Sequence, residues 1–486
     1  MITTVPKPTW GQENFAKAQL GDRRRSRSLV DLADRILQHP GGTLPDKFGD
    51  PKALNRCYDL MNTDCVTHAA VLEPHRRRTL ERLRQHDGVA LLIHDGTELD
   101  LTGHTALHDR LGQIGNGHGR GYVCHNSLAI NPLDRSAFGL VNQILHVRDT
   151  VPADETQAQR RVRETRESLL WLRGVAALEA APDGQLWVDI CGSGCDTFEF
   201  YDHEDLLGRK YVVRACQDRR IVVGHDPGGP RALVLGHLRS LPEQGRRPLH
   251  VPARDGKPAR DTVVAVSFAA VLLRVPKNQV GVYRQKPLAV WVVRVWEVDP
   301  PPEVAEPVEW FLVTNLAVTT VAQAWEKVDW YTCRWVVEEY HKCQKTGCAI
   351  EAPQFTTVEA LQPMIALLSV VAVALLNLRD LSRREETKGL PASRVVSAEQ
   401  VAVLSGWRYG ERRELTVEEF YLALARLGGH LNRKQDRPPG WLVLWRGWTK
   451  LQLMVAGARA AAGPPGKVAN ARATGKEQQY DHNRSP

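Results

Sequence analysis

Residues 330–345 have the sequence Trp330-Tyr-Thr-Cys-Arg-Trp-Val-Val-Glu-Glu-Tyr-His-Lys-Cys-Gln-Lys345. Within this stretch Tyr331 is followed at offsets of 3, 7 and 14 by Arg334, Glu338 and Lys345. At about 100° per helical residue the four lie within roughly 60° of one another, which predicts one amphipathic helix with all four on its polar face. A carboxylate among cations on a helix suits a metal site that also binds phosphate. Ion pairs on a solvated helix face produce the same pattern, so the rest of the chain must decide.

The composition limits the class of protein. A chain of 486 residues exceeds one ordinary core, so two to four domains are expected. The net charge of +8 favours a polyanionic partner such as DNA. Nine cysteines without a Cys-x-x-Cys pair argue against a disulfide framework or zinc ribbon and are typical of a reducing cytoplasm. The N-terminus has no apolar signal segment, and the longest apolar run, residues 364–378, predicts a buried core helix rather than a membrane span.

The first half of the chain contains an apolar run that ends in an acid. Residues 88–95, Gly-Val-Ala-Leu-Leu-Ile-His-Asp, predict a buried strand with Asp95 at its C-terminal end. Further strands are expected at 122–131, 139–147, 185–190 and 310–314, with a helix at 164–178. From about 205 to 304 short strands alternate with polar turns, which indicates a β-rich insertion.

The N-terminal region carries basic residues at predicted helix positions. Arg23 and Arg24 belong to a basic run just before a helical pattern, and Asn55 and Arg56 lie in the predicted helix 53–61. Basic residues at a helix start can bind phosphates, and Arg23, Arg24, Asn55 and Arg56 are the DNA-binding candidates of this region. A solvated run of charges explains these residues equally well.

These stretches resemble the DDE transposases of the insertion sequence 4 family. Residues 331–345 match that family's Tyr-x2-Arg-x3-Glu-x6-Lys motif at every position. Ala18-Gln-Leu-Gly-Asp-Arg-Arg24 through Pro74 looks like its DNA-binding domain, and Asp95-Gly-Thr97 looks like its first catalytic acid. Leu427-Gly-Gly-His-Leu-Asn-Arg-Lys434, with Leu444-Trp-Arg-Gly447, is similar to its dimerisation segment.

The resemblance implies an α/β protein with a ribonuclease-H-like catalytic core that a β-rich insertion interrupts. Helical domains for DNA binding and dimerisation would flank the core at its N- and C-terminal sides. The implied divisions are 1–75 for DNA binding, 76–204 and 305–390 for the core, 205–304 for the insertion, 391–460 for dimerisation, and 461–486 for a disordered tail.

The resemblance also implies a site. Asp95 and Glu338 would be ligands of two Mg²⁺ ions, with Mn²⁺ able to substitute, because these hard cations prefer carboxylate oxygens. Residues expected to contact DNA near the cut are Tyr331, Arg334, Lys345, Trp310 and Arg214. A flipped base would stack on Trp310, although core packing of this strand residue is a close rival.

The chain departs from the family at the second acid. An ungapped match of Trp187-Val-Asp-Ile-Cys-Gly-Ser-Gly-Cys-Asp196 puts Gly192 where that acid belongs. Three interpretations remain: the copy is inactive, Asp189 substitutes, or Asp196 rotates into the site. Against Asp189, residues three apart point to opposite faces of a strand.

Two classes of function follow. The first is a transposase that binds terminal inverted repeats and target DNA as a homodimer and cleaves and joins strands. The second is a non-catalytic relic, or an inhibitor of active copies, with the same fold. A structure-specific nuclease ranks last, because it would not need the dimerisation segment. Either of the first two would act in a bacterial cytoplasm, associated with the nucleoid, without a membrane or nucleotide cofactor.

Overall fold

The structure, a computed structural model, describes residues 8–151, 154–251, 259–277, 284–381, 388–431, 433, 436 and 439–462. The predicted tail therefore lies almost wholly outside the described residues. The helices are α1 Trp10–Phe15, α2 Arg23–Gln38, α3 Leu44–Phe48, α4 Pro51–Met61, α5 His68–Arg84, α6 Gln157–Val162, α7 Leu170–Ala176, α8 Phe198–Leu206, α9 Val234–Ser240, α10 Val321–Thr332, α11 Trp335–Lys342, α12 Val358–Leu381, α13 Ala398–Tyr409, α14 Val417–Leu427 and α15 Trp441–Ala462. The strands are β1 Val89–Asp100, β2 Gly112–Ile114, β3 Gly119–Ile130, β4 Ala137–His146, β5 Leu186–Cys191, β6 Lys210–Arg214, β7 Arg220–Val223, β8 Arg231–Leu233, β9 Gly245–Val251, β10 Arg260–Leu273, β11 Leu288–Glu297 and β12 Glu309–Thr314.

One mixed sheet of 12 strands runs through the described part of the chain. Its first half has the order β4-β3-β1-β5-β6, in which β1, β5 and β6 are parallel and β3 and β4 are antiparallel to their neighbours. The second half continues from β6 through β12, β11 and β10 to β7 and β8, with β9 also paired to β10. Strand β6, which lies in the predicted insertion, is thus the strand that joins the two halves.

Two local predictions are wrong. Strand β1 does not end at Asp95 but continues to Asp100, and Asp95 pairs with Asn126 in the middle of the β1–β3 ladder. The predicted helix 164–178 is shorter, because only Leu170–Ala176 is α-helical and a 3₁₀ turn precedes it. The apolar run that predicted β1 marks only its buried half, since the strand then reaches half-exposed positions.

Helix α12 lies at the centre of the largest hydrophobic core. It packs against α2, α4 and α5 of the N-terminal region and against β4 of the sheet. One stretch of it, Val358–Asn377, is long and apolar enough to cross a membrane by length and composition, and 78% of that window is buried inside the protein. Its apolar surface is covered by the protein's own helices and strands, as the prediction of a core helix requires.

The predicted single helix 330–345 is divided into three pieces. Helix α10 ends at Thr332, α11 begins at Trp335, and a π-helical turn spans Cys343–Gly347. At the first break the Cys333 N–H donates to the Trp330 carbonyl, while the Asp329 carbonyl accepts from the Thr332 hydroxyl at 2.7 Å. This competition of a threonine hydroxyl for a helix carbonyl tightens the backbone locally.

Candidate functional site

The two acids expected from the sequence lie on either side of one arginine. The Arg334 Nη1 atom contacts Asp95 Oδ2 and is 3.2 Å from Glu338 Oε1. Asp95 comes from the middle of β1 and Glu338 from the first turn of α11, so the fold joins positions separated by more than two hundred residues. Arg334 and Asp95 are largely buried, whereas the Glu338 side chain is half-exposed at 40%. The described structure therefore brings Asp95, Arg334 and Glu338 together.

The electrostatics of this trio depend on the arginine. Burial raises the pKa of Asp95, and the Glu338 carboxylate adds to that rise, whereas the Arg334 guanidinium opposes it. Burial by itself would lower the pKa of Arg334, but Asp95, Tyr331 and Glu338 raise it overall. The guanidinium is thus the cation that compensates both carboxylates. The family resemblance assigned Arg334 to DNA contact, while the sequence pattern also left an ion pair open, and the i,i+4 spacing from Glu338 is the signal of the pair observed.

Three further predicted residues adjoin the trio. Tyr331 is buried, and its ring makes an edge contact with the partly buried Trp310 at a centroid distance of 5.5 Å. Burial raises the pKa of the Tyr331 hydroxyl, and the guanidinium groups of Arg334 and Arg214 hold it down. Arg214, at the end of β6, pairs in register with Leu312 of β12. Trp310 packs against the main core, which supports the packing interpretation of this residue.

Lys345 lies in the π-helical turn rather than on α11. Its Nζ atom is 3.7 Å from Glu351 Oε1, and the same oxygen accepts a hydrogen bond of 2.8 Å from the Asp100 N–H at the end of β1. About a third of the Lys345 side chain is exposed. The partly exposed Lys345 side chain therefore lies beside the end of β1, further along the strand than Asp95.

Asp189 does not supply the missing acid. Its carboxylate is fully buried, and it accepts from His94 Nε2 at 2.8 Å and from two nitrogens of Arg209 at 2.8 Å each. Because Asp189 is in register with Leu92, its side chain lies on the sheet face of Leu92 and His94, opposite that of Asp95. These contacts lower its pKa although burial opposes them. The interpretation of Asp189 as the second acid is therefore wrong.

Asp196 is also committed elsewhere. Its carboxylate accepts from the Tyr201 hydroxyl at 2.7 Å and from the Cys216 and Gln217 N–H groups at 2.7 and 2.8 Å. Arg219 adds two more donors at 3.1 and 3.0 Å. A carboxylate with all its acceptor positions filled by the protein cannot rotate into the site without leaving several buried donors unpaired.

Gly192 is the position that faces the trio. A Cβ atom added there would be 3.9 Å from Arg334 Cδ, an ordinary van der Waals distance, and meets nothing closer. Its backbone, with φ −74° and ψ −174°, is extended and open to any L residue. At Gly194, in contrast, a Cβ would collide with the Trp171 ring at 2.7 Å. A side chain at 192 would thus enter the site without backbone strain.

The residues present do not fit a centre for two Mg²⁺ ions. Asp95 and Glu338 offer two carboxylates, and the Arg334 guanidinium contacts both of them. Across the residues that the structure describes, no group of three or more His, Cys, Asp or Glu side chains is arranged to hold a metal ion. Two mutually repelling cations need more anionic oxygen than two arginine-paired carboxylates provide.

The predicted DNA-binding residues of the N-terminal region are at the surface. Arg23 and Arg24 begin α2, where the Asp22 carboxylate caps the helix by accepting from the Arg24 N–H at 2.8 Å. Asn55 and Arg56 are exposed on α4, and Arg56 Nη2 is 2.6 Å from Asp31 Oδ2 of α2. A cleft of about 790 Å³ between α1 and α2 is lined in part by Arg23.

Comparison with protein families identifies this region. Residues 7–66 match the family model described as transposase DNA-binding. The match covers α1 to α4, and two of these helices, α2 and α4, carry the four surface residues just described. It supports a transposase and DNA as the partner.

Proposed function

We propose that this chain is a transposase of the DDE type that binds DNA ends, and that its strand-cleavage centre lacks one of three carboxylates. Gly192 carries the proposal: a Cβ there would have free space beside Arg334, which pairs with Asp95 and Glu338, yet the residue has no side chain. Two observations support the proposal of a DDE-type transposase that binds DNA ends. One is the matched DNA-binding region. The other is the strand order β4-β3-β1-β5-β6, which a ribonuclease-H-like core would have.

The proposal separates binding from chemistry. DNA binding would use the exposed cations of α2 and α4 together with Lys345, Arg214 and Arg334 near the acids. Cleavage and strand transfer in related transposases would require two Mg²⁺ ions, or Mn²⁺ in their place. In this chain Arg334 supplies the positive charge beside Asp95 and Glu338, so cation binding must compete with an existing ion pair.

The decisive experiment compares the chain with its Gly192→Asp variant. Both are incubated with duplexes carrying the terminal inverted repeats of the element, in Mg²⁺ and separately in Mn²⁺. We expect specific binding by both proteins and cleavage by the variant alone, at least ~100-fold faster, because a carboxylate at 192 completes the ligand set. A Gly192→Asn variant is the matched control, since it adds the same volume without the charge.

Each result has a distinct meaning. Cleavage by both proteins would refute the proposal that the cleavage centre of this chain is impaired. Cleavage by neither protein would refute the assignment of the third carboxylate to position 192. Glu338→Ala in the Gly192→Asp background should abolish cleavage and leave binding nearly intact. No specific binding at any salt concentration would refute the DNA-binding function itself.

A further inference from the structure

Lys47 is a buried lysine whose hydrogen bonds go to backbone carbonyls. It lies in α3, inside the region that matches the transposase DNA-binding model, and its side chain is fully buried. The Nζ atom donates to the Pro40 carbonyl within the same region and, at 2.8 Å, to the Cys348 carbonyl, 301 residues away. One ammonium group therefore connects the N-terminal region directly to the segment that follows α11.

Cys348 ends the turn that carries Lys345. The Cys348 N–H donates to the Cys343 carbonyl at 2.7 Å, and the Ile350 N–H donates to the Gln344 carbonyl at 3.1 Å, which closes the π-helical turn. The loop that precedes Lys47 lies close to the same turn. A Cβ atom added at Gly41 in that loop would be 3.7 Å from the Gly347 carbonyl oxygen. Lys47 thus binds the end of the turn at the Cys348 carbonyl, and Glu351 lies 3.7 Å from the Lys345 ammonium within it.

The lysine at position 47 combines a buried charge with two directed hydrogen bonds. Burial lowers the pKa of Lys47 to about 8, which means that the folded protein bears a desolvation penalty for its charge at neutral pH. An apolar side chain of similar length would remove that penalty but would leave the Pro40 and Cys348 carbonyls without this donor. What an apolar side chain cannot do is donate to two carbonyls at once and so fix their relative position.

We propose that Lys47 is a positioning residue, which fixes the turn bearing Lys345 to the N-terminal region so that Lys345 meets DNA phosphate only when that region is seated. The inference rests on the proposed function, because it assumes that the chain binds DNA through both parts. Lys47 itself is buried and does not touch DNA. Its effect is exerted through the Cys348 carbonyl and the geometry of the turn.

The test is the salt dependence of duplex binding by the full chain, measured with the terminal-repeat duplex. Losing one phosphate contact reduces the slope of log K against log salt concentration by about 0.9. We expect Lys345→Gln and Lys47→Met each to reduce the slope by about that amount. The double variant should show the same slope as either single variant, because both changes remove one contact. Lys286→Met, which removes an exposed charge from the insertion, should keep the original slope.

The outcomes separate this inference from the proposed function. A Lys47→Met slope equal to that of the unmodified chain, or full additivity in the double variant, would overturn the inference while DNA binding stands. An unchanged slope in Lys345→Gln would also overturn it. If the unmodified chain does not bind the duplex, the proposed function itself is refuted, and with it the inference that rests on it. If Lys47→Met does not fold, Lys47→Gln is measured instead, since its shorter side chain cannot donate to both carbonyls. An original slope in that variant would likewise overturn the inference.

Discussion

At the scale of single residues, Arg334 determines the charge of the site. Replacing it with glutamine leaves Asp95 and Glu338 close together without a counter-charge. We expect Arg334→Gln to lower the free energy of unfolding by about 1–3 kcal/mol at pH 7, because a largely buried carboxylate loses its partner. The loss should shrink as the pH falls to about 4.5, since the pKa of Asp95 is already raised and a protonated carboxyl needs no cation.

Urea unfolding at the two pH values measures this effect. Arg110→Gln is the matched control, because Arg110 pairs with Glu359 at 2.9 Å but both side chains are about two-thirds exposed. Such a surface pair contributes at most about 1 kcal/mol. A loss in Arg334→Gln that is equal at both pH values would contradict the role assigned to its charge.

At the scale of elements, helices α14 and α15 cross where glycine meets glycine. A Cβ added at Gly447 would be 2.0 Å from the Leu424 carbonyl, and one at Gly428 would be 1.8 Å from the Val443 carbonyl. Gly447→Ala should therefore force the helices apart and destabilise the C-terminal helices by more than about 2 kcal/mol. Gly457→Ala on the same helix meets nothing within 4 Å and should stabilise by up to about 1 kcal/mol. Thermal unfolding measures the change in stability of Gly447→Ala and of Gly457→Ala. Equal changes in the two variants would exclude the close crossing of the helices.

Elements were predictable from the sequence where the pattern was local. The strands 122–131, 139–147 and 310–314 lie close to β3, β4 and β12, because apolar runs bounded by turn residues specify them. The divided helix at 330–345 was not predictable, since the break depends on a hydrogen bond of the Thr332 hydroxyl that periodicity does not reveal. The hydrogen bonds of the Asp189 carboxylate were not predictable either, because tertiary packing brings His94 and Arg209 to it. The convergence of Asp95 and Glu338 rested on the family resemblance rather than on spacing.

At the scale of the whole molecule, the N-terminal helices and the sheet share one core. The cluster that contains Leu29 and Leu32 of α2 also contains Leu91 of β1 and Leu368 of α12. Lys47 and Tyr58 add contacts to the segment after α11, the latter through an edge contact with Phe355 at 5.4 Å. Helices α1 to α4, which match the transposase DNA-binding model, are therefore packed directly onto the part of the chain that carries Asp95 and Glu338.

His75 makes this junction sensitive to acid. Its Nδ1–H donates to Asn14 Oδ1 of α1 at 2.8 Å, and its Nε2 accepts from the Leu140 N–H of β4 at 3.0 Å, so the ring must be neutral. Burial, with Arg78 and Arg82 nearby, lowers the pKa of His75 to about 3. In the unfolded chain the imidazole binds its proton near the usual histidine pKa of 6.5, so the stabilisation is complete above that pH and is lost as the pH falls towards 3. Between pH 7 and pH 5 the lost stability amounts to about 2 kcal/mol. Urea unfolding at pH 7 and pH 5 should therefore show that the free energy of unfolding of the unmodified chain, relative to that of His75→Gln, falls by about that much. The difference from the control His118→Gln, on the β2–β3 turn, should stay constant. A difference from His75→Gln that is the same at both pH values would mean that the ring is not held neutral at this junction.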